Sequence, residues 1–143
     1  MGDGLFHVTV SPGENPKLPK SLIVTAAPGG KFITTATANS LTVSTPKAAA
    51  EISLSDGRIV FRNANRQPVL SEYTHMLRPV QVEGQPFWWI REEFNRGTDE
   101  GFYGLGQHQN RQMNYNGEDV VLAQHNMDVA VPFVVSTRNY GVL

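Results

Sequence analysis

Apolar residues along this chain fall in short runs that alternate with polar ones, at the two-residue period of a half-buried strand. Such runs cover residues 5–10, 21–26, 32–37, 40–44, 49–55, 58–62, 87–94, 120–124 and 131–137, and most are rich in Val, Ile, Thr, Phe or Trp. Turn formers punctuate them, among them Pro12-Gly13, Pro28-Gly29-Gly30 and Asn116-Gly117. No stretch of more than about ten residues keeps apolar side chains at helical spacing without Pro, Gly or a β-branched residue interrupting it. The pattern predicts an all-β domain of antiparallel strands, a sandwich or a barrel. Residues 67–68 and 84–86 read as loops between strands rather than domain boundaries.

The sharpest local expectation is a hairpin at Asp56-Gly57. A two-residue loop needs positive φ, which Asp-Gly tolerates. Pairing outward from it opposes Ser55 with Arg58, Leu54 with Ile59, Ser53 with Val60 and Ile52 with Phe61. Ile52, Leu54, Ile59 and Phe61 then share one face, which predicts the apolar side of the sheet.

Composition narrows the class. A chain of 143 residues predicts one domain with a sizeable core. Only 17% of residues are charged, and 13 glycines and 9 prolines accompany them, which suits a turn-rich β domain. A net charge of -1 without any Lys/Arg run argues against a nucleic-acid partner. With no cysteine, disulfide frameworks and thiolate metal sites are excluded. No run approaches the roughly 18 apolar residues of a membrane span, and MGDGLFHVTV lacks the pattern of a signal peptide. At the other end, Asn139-Tyr140-Gly141-Val142-Leu143 reads as a turn entering an apolar strand, which predicts a boundary inside a larger protein.

Candidate chemistry is sparse. His7, His75, His108 and His125 lack paired metal-ligand spacing, so they are expected as surface or hydrogen-bonded residues. The acid pairs Glu92-Glu93, Asp99-Glu100 and Glu118-Asp119 would point to opposite faces of a strand and form no glycosidase dyad internally. They are expected at solvated strand ends and turns. No G-x-S-x-G elbow is present. Gly101, Gly104 and Gly106 are not in phosphate-loop order, and close backbone packing or a bulge explains them better. Trp88 and Trp89 should face opposite ways, one into the core and the other available to stack on a sugar ring.

The order of motifs carries more. FYGLGQHQN at 102–110 is followed by NYNG at 114–117, a short apolar run, and QHNMD at 124–128, with PFVVS at 132–136 and YGVL at 140–143 after it. Upstream, residues 41–72 carry L-x-V, D-G-x-x-x-F and L-x-E in that order. In this combination the chain resembles the N-terminal domain of glycoside hydrolase family 31, the α-glucosidases and α-xylosidases. The Gln-His-Gln-Asn variant is similar to bacterial α-xylosidase-like members.

The resemblance implies an antiparallel β-sandwich of the galactose-mutarotase-like type, packed on a (β/α)8 barrel of the same polypeptide. In the family that barrel holds both catalytic carboxylates, so it implies no catalytic residue, metal or cofactor in residues 1–143. An oligosaccharide would be the substrate of the whole protein, and the resemblance favours a periplasmic or cell-surface location. It also implies that a loop of this domain helps form the substrate pocket. The matching positions are Gln124, Asn126 and Asp128, with Asn126 and Asp128 meeting sugar hydroxyls through amide and carboxylate groups. Self-capping of the loop by these same side chains is the alternative. Arg111-Gln112 departs from the family pattern, where small or apolar residues are usual.

Two rival functions remain at this level. A free-standing carbohydrate-binding module should finish its own sheet, which the C-terminal strand does not. A mutarotase-like epimerase needs a convergent His/Glu set, for which no spacing speaks.

Overall fold

The computed structural model describes residues 2–13 and 30–143. The strand expected over 21–26 and the turn at Pro28-Gly29 lie outside the described residues. Nine strands form among the described residues: β1 (Ile33–Ala36), β2 (Ser40–Ser44), β3 (Ala49–Ser53), β4 (Ile59–Arg62), β5 (Pro68–Val82), β6 (Gln85–Asn95), β7 (Phe102–Gln107), β8 (Val129–Ser136) and β9 (Tyr140–Val142). Strands β1 to β6 run as one meander and β7 to β9 as a second sheet, every neighbour antiparallel. No helix occurs among the described residues, as the short alternating runs predict. Two compact units divide the chain, Met1–Asn95 and Arg96–Leu143.

In the first unit the core follows from register. Partners across a ladder share a face, and the pairs Leu41↔Ile52, Val43↔Ala50, Ala50↔Phe61, Ile52↔Ile59 and Phe61↔Leu70 gather the apolar side chains on one side. Ala50, Ile59 and Leu70 are buried there. Residues 5–10 form no strand; instead Phe6 tilts against Phe61 with ring centroids 5.9 Å apart.

The Asp56-Gly57 turn exists, but its register differs from the expected one. Ile59 lies opposite Ile52 and Phe61 opposite Ala50, so the loop is two residues longer than a tight hairpin needs. Ser53 N–H donates to Arg58 O, Gly57 takes φ 75, and the Asp56 carboxylate accepts from Arg58 N–H. Leu54 therefore sits in the loop, exposed, where its N–H donates to Asn39 O. A slip of two preserves the alternation, so Ile52, Ile59 and Phe61 keep their common face.

Strand β5 escaped the sequence pattern because a bulge at Tyr73 shifts its parity. Leu70 and Leu77, seven apart, then share a face that strict alternation would separate. From Thr74↔Glu93 to Val82↔Gln85, β5 and β6 pair with no other strand among the described residues, a ribbon of about 27 Å closed by Glu83 and Gly84 at φ 50 and 76. Neither tryptophan is buried, so the expectation of a core tryptophan fails. Trp88 is 49% exposed and Trp89 38% exposed, the latter with the Arg78 guanidinium 5.0 Å over its ring. No described helix is long and apolar enough to cross a membrane.

Candidate functional site

In the second unit, the geometry begins with Gly104, Leu105 and Gly106, all at positive φ (115, 61 and 101). Gly104 pairs with Val134 and Gly106 with Ala130, so β8 bulges outward by two residues at this point. A Cβ on Gly106 would lie 1.8 Å from Val129 O, and one on Gly104 would lie 2.5 Å from Phe133 O. Only glycine permits that approach, which is the close packing the sequence suggested.

The ladder ends at Gln107↔Val129, and the chain between forms a long connection that leaves and returns at this one point. His108 folds back so that Nε2 meets Leu105 O at 2.8 Å, its ring edge-on to Tyr115. The NYNG segment docks on the start of β7. Asn114 Oδ1 accepts from Phe102 N–H, Tyr115 N–H donates to Phe102 O, and Asn116 Nδ2 donates to Glu100 O. Residues 120–124, expected as a strand, form no ladder, and Val121 is exposed.

At the end of the connection stands a four-residue turn. Asp128 N–H donates to His125 O at 3.2 Å, and Met127 occupies φ 73, a position that glycine or asparagine favours. Gln124 braces the turn from outside: its Nε2 donates to Asp128 O at 2.8 Å and its Oε1 accepts from Ala130 N–H at 3.1 Å. Both carboxylate oxygens of Asp128 are engaged, Oδ2 with His125 Nε2 at 3.1 Å and Oδ1 with Gln109 N–H at 3.3 Å. Asn126 is exposed, and its carboxamide makes no hydrogen bond to any described residue. The three residues singled out by sequence thus meet in one turn with different duties. Gln124 is consumed by the backbone, Asp128 is held from two sides, and Asn126 presents its amide to solvent.

Two clusters were not legible beforehand. Glu100, expected at a solvated turn, is 2% exposed. It accepts from Gly97 N–H, from the Ser136 hydroxyl and from the Tyr140 hydroxyl, with Arg138 Nη1 at 3.9 Å. Burial works against its ionisation, but these donors outweigh it and hold the carboxyl below the ordinary glutamate value. Burial and the bond to Glu100 push the Tyr140 phenol up to about 12. Both carboxylate oxygens face a partner, so Glu100 fastens the sheet.

The other cluster lies in the first unit, where the bulge at Tyr73 brings Glu72, His75 and Glu92 to one face. His75 Nδ1 stands 3.9 Å from Glu72 Oε2, and Glu72 Oε2 also accepts from Ile59 N–H. Desolvation, then the Glu72 charge, raises the Glu92 carboxyl above its ordinary value. A cleft of about 390 Å³ runs past it, lined in part by His7, Leu77 and Ile90. No group of described His, Asp and Glu side chains is arranged to hold a metal ion.

Comparison with known proteins bears on the whole chain. The family model described as the glycosyl hydrolase 31 N-terminal galactose mutarotase-like domain matches residues 1–143. A curated α-xylosidase of Saccharolobus solfataricus is 35% identical over 63 residues, 38% of this chain and 9% of that protein. Among solved structures, a family 31 α-xylosidase from Xanthomonas citri superposes with a TM-score of 0.74 at 42% identity, covering 78% of this chain and 12% of its own. A family 31 α-xylosidase from a soil metagenome, complexed with xylose, gives 0.75 at 26% identity over 88% of this chain and 22% of its own. A cycloalternan-forming enzyme of Listeria monocytogenes in complex with a pentasaccharide gives 0.63 at 26% identity, covering 81% and 12%. The chain therefore spans less than a quarter of each of these relatives.

Proposed function

We propose, for a chain that belongs to the family of glycosyl hydrolase 31 N-terminal galactose mutarotase-like domains, that residues 1–143 serve as one non-catalytic N-terminal domain of a retaining α-glycosidase of the α-xylosidase or α-glucosidase type. In this reading the chain packs on a catalytic barrel of the same polypeptide, which supplies both carboxylates. The turn at 124–128 completes the substrate pocket. The observation that carries the reading is the Asn126 carboxamide, exposed and unpaired among the described residues, in a turn whose base is pinned by Gln124. A donor and acceptor so placed suits a sugar hydroxyl, and the held Asp128 carboxylate beside it offers further acceptor capacity.

The carboxylates of the chain support the non-catalytic half of the reading. Glu100 is saturated with hydrogen bonds, and Glu72 already serves the Ile59 amide. Exposed Phe87, Trp88 and Ile90 on the ribbon offer apolar area of the kind a larger protein covers. The experiment is an assay of the isolated chain on aryl α-glucosides and α-xylosides. No turnover is expected. Turnover that disappears when one of the chain's own carboxylates is substituted would overturn the reading.

A further inference from the structure

The ring of His125 is placed between two acceptors. Its Nε2 lies 3.1 Å from Asp128 Oδ2, and its Nδ1 lies 3.2 Å from Asn126 O. A carbonyl and a carboxylate oxygen can only accept, and neutral imidazole carries a single N–H. The imidazolium form alone donates to both at once. Deprotonation costs the turn one of two bonds and removes the charge that faces Asp128. His125 is 62% exposed at its side chain while Asp128 is 19% exposed, so the partnership acts on the less exposed member.

We propose that His125 is the positioning residue of this turn: as imidazolium it ties the Asn126 carbonyl to the Asp128 carboxylate and fixes the direction in which both side chains point. Three constraints then converge on five residues. Gln124 closes the base of the turn, Gln109 N–H holds the far carboxylate oxygen, and His125 spans the tip. Met127 stays in the left-handed region without glycine's freedom because these bonds over-determine it. Asp128 is the one carboxylate in ion-pair contact with His125 among the described residues. Neither Glu118 nor Asp119, on the same connection, forms such a pair with it, and Arg111 forms none with Asp128. The turn should therefore be tighter with the ring charged than with it neutral, since only the charged ring keeps both bonds. That this matters for sugar rests on the function proposed above; that His125 holds the turn does not.

The test is a titration of the 143-residue chain by NMR from pH 5 to 8, without sugar. The amide signals of Gln109, Asn126, Met127 and Asp128 should shift together, with the midpoint of the His125 ring nitrogens. In His125→Phe the concerted shift should vanish, and in His125→Arg the acid-side pattern should persist at every pH. Unchanged signals from β7 to β9 verify the fold of each variant, and the unsubstituted chain decides alone if a variant fails to fold. A ring that titrates while those four amides stay still overturns the proposal. Amides that follow the ring support it. If the joined enzyme then shows a KM for aryl α-xyloside indifferent to His125, the sugar-binding reading fails while the positioning role stands.

Discussion

The Tyr140 hydroxyl donates to Glu100 Oε1 at 2.5 Å across 40 residues of chain, tying the last strand of the second unit to a residue two places before its first. The two groups respond to pH in opposite senses. Glu100 has a lowered pKa when folded, so its contribution is present above the ordinary glutamate value and is lost as pH falls through the folded one. Tyr140 is raised from 10.0 to about 12, so its contribution is complete below 10 and is lost as pH climbs to 12. Urea midpoints of the chain should therefore decline on both flanks. Tyr140→Phe should flatten the alkaline flank between pH 10 and 12, and an unchanged flank would contradict the assignment.

Removing the Glu100 carboxylate leaves Gly97 N–H and the Ser136 hydroxyl without their acceptor in a buried place. Glu100→Ala should cost on the order of 3 kcal/mol, the range for losing a buried charged acceptor. Glu100→Gln keeps an oxygen for the two hydroxyls and should cost about half as much. Equal losses in the two variants, measured by urea unfolding, would show that volume rather than hydrogen bonding matters.

The glycines rank themselves. Gly106→Ala drives a Cβ to 1.8 Å from backbone and Gly104→Ala to 2.5 Å, whereas Gly84→Ala meets open space and only an unfavourable φ of 76. Losses should follow that order, with Gly84→Ala near 1 kcal/mol. A Gly106→Ala chain as stable as Gly84→Ala would contradict the close crossing of β7 and β8.

Both tryptophans should behave as solvent-accessible fluorophores. Trp88 and Trp89 occupy opposite faces of the β5–β6 ribbon at 49% and 38% exposure, so acrylamide should quench both in the isolated chain. Quenching should fall when the chain is joined to the rest of the proposed enzyme. A shielded tryptophan in the isolated chain would contradict that exposure.

How far the sequence reaches is seen in particular elements. Residues 40–44 appear as β2 at the same bounds because Leu41 and Val43 alternate cleanly with polar neighbours. Of the ribbon, β6 was expected over 87–94 but β5 did not show, because the Tyr73 bulge breaks alternation and a bulge leaves no one-dimensional mark. The burial of Glu100 was invisible for a related reason. Its partners Ser136 and Tyr140 lie 36 and 40 residues away, and only the fold brings them to it. For the candidate site, family resemblance located Gln124, Asn126 and Asp128, but their division into brace, free amide and held carboxylate required the bonds themselves. His125, passed over for want of a metal-like spacing, proved to touch both neighbours.

The central claim, that this turn meets the substrate, is tested most directly by steady-state kinetics of Asn126→Ala and Asp128→Ala in the chain joined to the proposed catalytic barrel, with aryl α-xyloside and α-glucoside as substrates. Losing a hydrogen bond to a neutral amide, or to a charged carboxylate, should lower kcat/KM by roughly 5-fold and by about 10- to 100-fold respectively. Melting temperature should hold in Asn126→Ala, whose side chain bonds to no described residue. Unchanged kcat/KM in both variants, with the fold intact, would contradict the account.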